Sequence, residues 1–138
     1  MIPVINPNDS WCLARAILIG LKFIENGEQR TPEFLSFCAN QEGHSNAARQ
    51  LLLDAGVSVT KEEYGIPDAK KIQRLINERY GDGQIRLVIF AHQLNNRLAW
   101  KGWIDRPAAH NLCLFNENAH FAFLGSPQQL LKVIIYWF

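Results

Sequence analysis

Cysteine is scarce in this sequence. Cys12, Cys38 and Cys113 are three in number and widely spaced, which excludes a disulfide framework and points to free thiols in a reducing, cytoplasmic compartment. An excess of one charge is also missing. The 14 Lys and Arg against 13 Asp and Glu leave +1, and no run is longer than short pieces such as Lys61-Glu62-Glu63, so bulk charge recruits neither nucleic acid nor a membrane surface. The longest apolar runs, around Ile17-Leu18-Ile19 and at 133–138, fall short of the roughly 20 residues needed to cross a bilayer. No secretory leader is expected, because Ile2-Pro3-Val4-Ile5-Asn6-Pro7-Asn8 has neither a basic start nor an apolar stretch. His110-x-x-Cys113 has ligand spacing but no second pair to complete it, so neither a metal nor another cofactor is expected. Internal repeats and low-complexity segments are absent.

What is present is apolar content. At 48% hydrophobic over 138 residues the chain can bury one continuous core, so a single domain over 1–138 is expected. The apolar end, Val133-Ile134-Ile135-Tyr136-Trp137-Phe138, either packs into that fold or marks one domain cut from a longer protein.

The pattern divides the chain in two. From Asp9, a suitable N-cap, apolar residues run almost all round a helix that Asn26-Gly27 ends, which predicts a central helix buried on most sides. Thr31-Pro32 starts a second helix, with Phe34, Leu35, Phe37 and Cys38 as its expected buried face. A third is predicted over 45–55, stopped by Gly56, and a fourth opens at Pro67-Asp68 with Ile72, Leu75 and Ile76 on one face. Beyond Gly81-Asp82-Gly83 the pattern changes to β-rich runs at 85–90, 98–103, 112–115 and 120–124, with short turn-like connections that suggest antiparallel meanders. Ser126-Pro127 reads as the cap of a last short helix. Helices followed by strands predict an α+β domain, with helices packed on one face of a mainly antiparallel sheet.

Two residues stand out chemically. Cys12 falls in the first turn of the most buried helix, where the positive end of the helix dipole favours thiolate, the form that attacks carbonyls. A free cysteine is equally a small core residue, and that reading stands beside the first. His120 opens a strand after the polar turn Asn116-Glu117-Asn118, at a strand entrance from which a side chain reaches a cleft. His44, His92 and His110 are weaker candidates. A cysteine starting a buried helix, with a histidine on a strand far downstream, is the general arrangement of papain-like thiol hydrolases.

The residues themselves add a resemblance. Asp9-Ser10-Trp11-Cys12-Leu13 with Arg15-Ala16 resembles the Asp-Gly-Asn-Cys-Leu-Phe-Arg-Ala signature of the ovarian-tumour (OTU) family of cysteine proteases, and Ala119-His120-Phe121 resembles its histidine-aromatic motif. The segment is also similar to OTU-like domains of viral polyproteins and transposons. The resemblance implies a papain-like fold with Cys12 as nucleophile and His120 as its base. It implies that Asp9 stabilises the loop forming the oxyanion hole. Ser10 and Trp11 replace the family's glycine and asparagine, and Ala122 replaces the Asp or Asn that commonly orients the histidine. By analogy with members that supply the orienting group from upstream, Asn6 is expected in that role, with Asn118 as second choice. Trp11, Trp100 and Trp103 are candidate walls of a narrow cleft. The implied activity is cleavage of peptide or isopeptide bonds at the C-terminus of ubiquitin or a ubiquitin-like modifier. The alternatives are a catalytically inactive OTU-like module that binds such a protein, and a polyprotein-processing protease.

Overall fold

The computed structural model describes residues 2–3, 10–95, 97–102, 107–118 and 120–125. Its elements are β1 (Ile2–Pro3), α1 (Cys12–Glu25), α2 (Pro32–Ala39), α3 (Ser45–Asp54), α4 (Ile66–Tyr80), β2 (Ile85–Ala91), β3 (Arg97–Lys101), β4 (His110–Glu117) and β5 (His120–Leu124), with short 3-10 turns at Gln41–His44 and His92–Leu94. The α+β class is as expected.

The sheet is mixed. Its order is β1-β5-β4-β2-β3, with β2 and β4 parallel at its centre and the other three pairings antiparallel; β1 contributes only two residues, so four strands carry it. The expected meander is thus corrected in one place. After the β2–β3 hairpin, whose connection turns at Asn95 in the left-handed region (φ 54°), the chain crosses to the other side of β2 and lays β4 down parallel to it.

One face of the sheet carries the helices. Leu13, Ile17 and Ile19 of α1, Phe34 of α2, Leu52 of α3 and Ile72 and Ile76 of α4 share a core with Leu87, Ile89, Leu112, Leu114, Phe121 and Phe123 of the sheet. Each such side chain contributes about 1.5–3 kcal/mol on leaving water. The opposite face holds a smaller buried group, Val88, Cys113, Phe115 and Leu124. Strand alternation sorts every one of these residues, since neighbours along a strand point to opposite faces.

α1 is the central helix by its contacts. Phe23 meets Phe34 edge-on at 5.2 Å and Phe123 at 5.4 Å between ring centroids. Gly20 lies so close to β4 that a Cβ there would be 2.5 Å from Leu112 Cγ, so any larger residue must displace that leucine. Arg15 is fully buried, and its Nη2 donates to Ser45 Oγ at 2.7 Å, tying α1 to the first residue of α3.

Several local expectations hold. Thr31 Oγ1 accepts from Phe34 N, Gly56 has φ 74°, and Gly81 and Gly83 have φ 96° and 77°. Two need correction. Leu35 is half exposed rather than buried, because α2 presents only Phe34 fully to the core. α1 starts at Cys12 with Trp11 at the N-cap position, so the cap is not Asp9. Asp9, Asn6, Trp103 and the helix expected from Ser126 lie outside the described residues.

Candidate functional site

The direction of α1 decides where Cys12 lies. At the far end of the helix Tyr80 Oη donates to Glu25 Oε1 at 3.2 Å, and Glu28 Oε1 pairs with His110 Nδ1 at 2.7 Å. That is the end of the sheet where β2 and β4 begin and β5 finishes. At the near end, Ser10 Oγ donates to Lys61 O at 2.6 Å and Trp11 Nε1 to Val59 O at 3.0 Å.

The loop that receives those bonds leads into α4. α4 in turn runs antiparallel to β2, since a tight turn joins Tyr80 to Ile85 and mid-helix Gln73 bonds Ile85 and Leu87. The loop therefore lies where β2 and β4 finish and β5 starts. Cys12, the first residue of α1, and His120, the first residue of β5, belong to the same end of the sheet.

They do not share a face. Phe121 and Phe123 point into the helix-covered core, whereas Leu124 belongs to the opposite cluster, so alternation puts His120 and Ala122 on the side away from α1. His120 is exposed and stands across from Glu117 in the register, while Cys12 is 6% exposed and part of the main core. His120 is held in the register opposite Glu117 by the two-residue turn before β5.

The backbone at this site follows from local sequence. Trp11 uses its indole N–H on Val59 O and makes no side-chain capping bond. The first N–H groups of any α-helix point out of its end, and Cys12 begins α1. The neighbouring loop is firm: Tyr64 Oη donates to Ser58 O at 2.7 Å, and Lys61 Nζ bonds both Asp68 oxygens at 2.9 and 2.8 Å. Asp68 Oδ2 also accepts from Gly65 N, closing the start of α4.

The other thiols are poor nucleophiles by environment. Burial pushes Cys113 up to about 11, with Arg86 opposing and Glu28 adding, and burial also raises Cys38 against the opposing charge of Arg30. Among the described residues no three His, Cys, Asp or Glu side chains gather to hold a metal. A groove of about 410 Å³ opens elsewhere, over Leu18, Leu21, Phe37 and Leu51 on the C-terminal half of α1, away from the Cys12 end.

Two polar residues of note escape a reading of the sequence. Asn116 looks like part of a turn, but β4 runs on to Glu117, so Asn116 is a strand residue paired with Phe121 and Ala91 on the helix-covered face. Its Oδ1 is buried without a protein partner among the described residues. His44 looks like a loop histidine beside Gly43, yet it is 4% exposed and stacked on Phe37 at 4.1 Å, with neither ring nitrogen in a well-formed hydrogen bond. Asn118, by contrast, has φ 53°, the conformation a tight β4–β5 turn requires of it. Of the candidate wall residues, Trp11 and Trp100 are half-buried and packed against the main core.

No protein-family model, no curated protein and no solved structure matches this chain.

Proposed function

We propose that the chain is a papain-like, OTU-like thiol hydrolase acting at the C-terminal glycine of ubiquitin or a ubiquitin-like modifier. One observation carries the reading: the cysteine that opens the most buried helix and the histidine that opens β5 lie at one end of the sheet. A thiol nucleophile and its base must share a region of the fold before they can come within hydrogen-bond reach.

In this mechanism Cys12 gives its proton to His120 and its sulfur attacks the scissile carbonyl. Backbone N–H groups at the start of α1 stabilise the oxyanion, in the water-poor setting that makes such donors effective. The C–N bond breaks as His120 returns the proton to the leaving amine, and a thioester remains. Water then attacks the thioester with His120 again as base, releasing the carboxylate and the thiol. A Gly-Gly tail fits a site beside a covered thiol, because it brings no side chains into the cleft.

A second reading has its own support. The small exposure of Cys12, the placement of His120 on the opposite face and the alanine at 122 favour an OTU-like module that binds such a protein without cleaving it.

Ubiquitin bearing a C-terminal electrophile separates the two. The hydrolase reading expects a stable one-to-one adduct with the wild type, mapped to Cys12 by peptide mass, and none with Cys12→Ala. Binding without adduct formation supports the module, and neither binding nor adduct removes ubiquitin as the substrate class.

A further inference from the structure

We infer that the second face of the sheet, turned away from the helices, is a docking surface for this chain's own residues 126–138. That face is apolar and shielded from water. Val88 of β2, Cys113 and Phe115 of β4 and Leu124 of β5 are buried together there, with Phe90 packed against them, and no helix residue belongs to the group. A sheet with one bare face would leave such side chains in solvent, so a further layer covers them.

Burial falls off in one direction. Leu124 on β5 is 2% exposed and Val88 on β2 is 7% exposed, whereas Leu98 on β3, the register partner of Phe90, is 45% exposed. The cover therefore enters from the β5 side and stops before β3. Residues 126–138 depart from that side, since Gly125 directly follows Leu124 at the end of β5.

The other stretches outside the described residues begin and end elsewhere. Residues 4–9 join β1, at the far edge beside β5, to Ser10 at the start of α1. Residues 103–106 lie between Gly102, whose N–H bonds Leu87 O, and Ala109, whose N–H bonds Gly83 O, at the end where β2 begins. On the second face that end is open, because Arg86 Nε donates to Asn111 Oδ1 at 2.9 Å in an exposed position. Phe115 stands five residues beyond His110 along β4, about 17 Å away. His92 packs edge-to-face on Phe115 at 6.3 Å, which shields one end of the group.

Composition and reach both suit 126–138. Leu130, Leu131 and the run 133–138 are apolar, and Lys132 is the single charge. A segment of this length can span up to about 45 Å, against roughly 14 Å across four strands.

Cys113 is the reporter, because its thiol belongs to the covered group and burial already raises it to about 11. The full chain is treated with iodoacetamide at about pH 8 and the alkylated peptides are identified by mass. Wild-type Cys113 is expected to react about a hundredfold more slowly than in the urea-unfolded chain, at every protein concentration. Ile134→Asp combined with Ile135→Asp is expected to raise Cys113 alkylation about tenfold or more and to leave the rate of Cys12, in the helix-side core, unchanged. Ile134→Cys and Ile135→Cys, made singly and treated with dibromobimane, sample both orientations of the segment, and one of them is expected to crosslink to Cys113. Protection that persists with both isoleucines charged, with no crosslink from either position, overturns the inference. Protection that fades on dilution assigns the face to a second copy and overturns it too, as does a wild-type Cys113 as reactive as in urea. If the charged variant exposes Cys12 and Cys113 together it has unfolded, and the crosslink alone decides.

Discussion

Two carboxamides between the helix layer and the sheet are treated in opposite ways. Gln73 of α4 is satisfied on every side: its Nε2 donates to Ile85 O at 2.8 Å and Asn77 Oδ1 at 3.0 Å, and its Oε1 accepts from Leu87 N at 2.7 Å. Asn116 of β4, toward the opposite end of the sheet, leaves its oxygen unpaired among the described residues. The difference separates an end built for rigidity from an end with unused hydrogen-bonding capacity. Where β2 begins, Gln73 fastens helix to strand, and nearby Glu28 and His110 close the α1 side. Where β5 begins, Asn116 lies on the helix-covered face and an exposed His120 on the other.

The comparison predicts opposite responses to the same chemical change. Gln73→Leu orphans a buried backbone N–H and a carbonyl on β2, and is expected to cost about 2–4 kcal/mol in urea unfolding. Asn116→Leu is expected to be neutral or stabilising by about 1 kcal/mol. Equal losses at both positions would erase the distinction between the two ends.

A third buried polar group gives the smallest and most conditional effect. Burial pushes the His44 pKa below its usual 6.5, a backbone group of Phe37 partly opposes this, and the Arg15 cation adds to it. Because the folded value is depressed, the unfolded chain binds the proton first. The stability contributed is complete above the free-imidazole value of 6.5 and is lost as pH falls through it toward the folded value. The urea midpoint of the wild type should therefore drop between neutral and mildly acidic pH more than that of His44→Phe, which keeps the stack on Phe37. Matching pH profiles for the two proteins would mean that His44 takes up its proton equally in the folded and unfolded chain, and would contradict the depressed folded value.

The helical half is legible in the sequence because its signals are local. Thr31-Pro32, Gly56 and the Gly81-Asp82-Gly83 turn each act on backbone within a few residues, and each does what its chemistry dictates. Leu35 departs from its pattern because an eight-residue helix at the edge of the core buries little more than one residue. The start of α1 departs as well, because Asp9 suits a cap by type, whereas long-range bonds from Ser10 and Trp11 to the 57–65 loop fix where the chain enters the helix.

The sheet is legible in its strands and not in their order. Short runs of β-branched and aromatic residues locate β2, β4 and β5, but nothing local says that β4 passes β3 to lie parallel to β2. Asn116 is hidden for the same reason. An Asn-Glu-Asn run looks like a turn, and only pairing with Ala91 and Phe121 shows its first member to be a strand residue under the helix layer. Cys12 and His120 can be picked by residue type and spacing, but their shared sheet end and opposite faces emerge only from register.

The account depends on Cys12 and His120 coming within reach of each other. A His120→Cys variant treated with dibromobimane, a short thiol-to-thiol crosslinker, tests this without any assumption about substrate. The expected product is an intramolecular crosslink between peptides containing positions 12 and 120. Crosslinks absent at that pair, in a folded protein whose introduced thiol is readily alkylated, would contradict it.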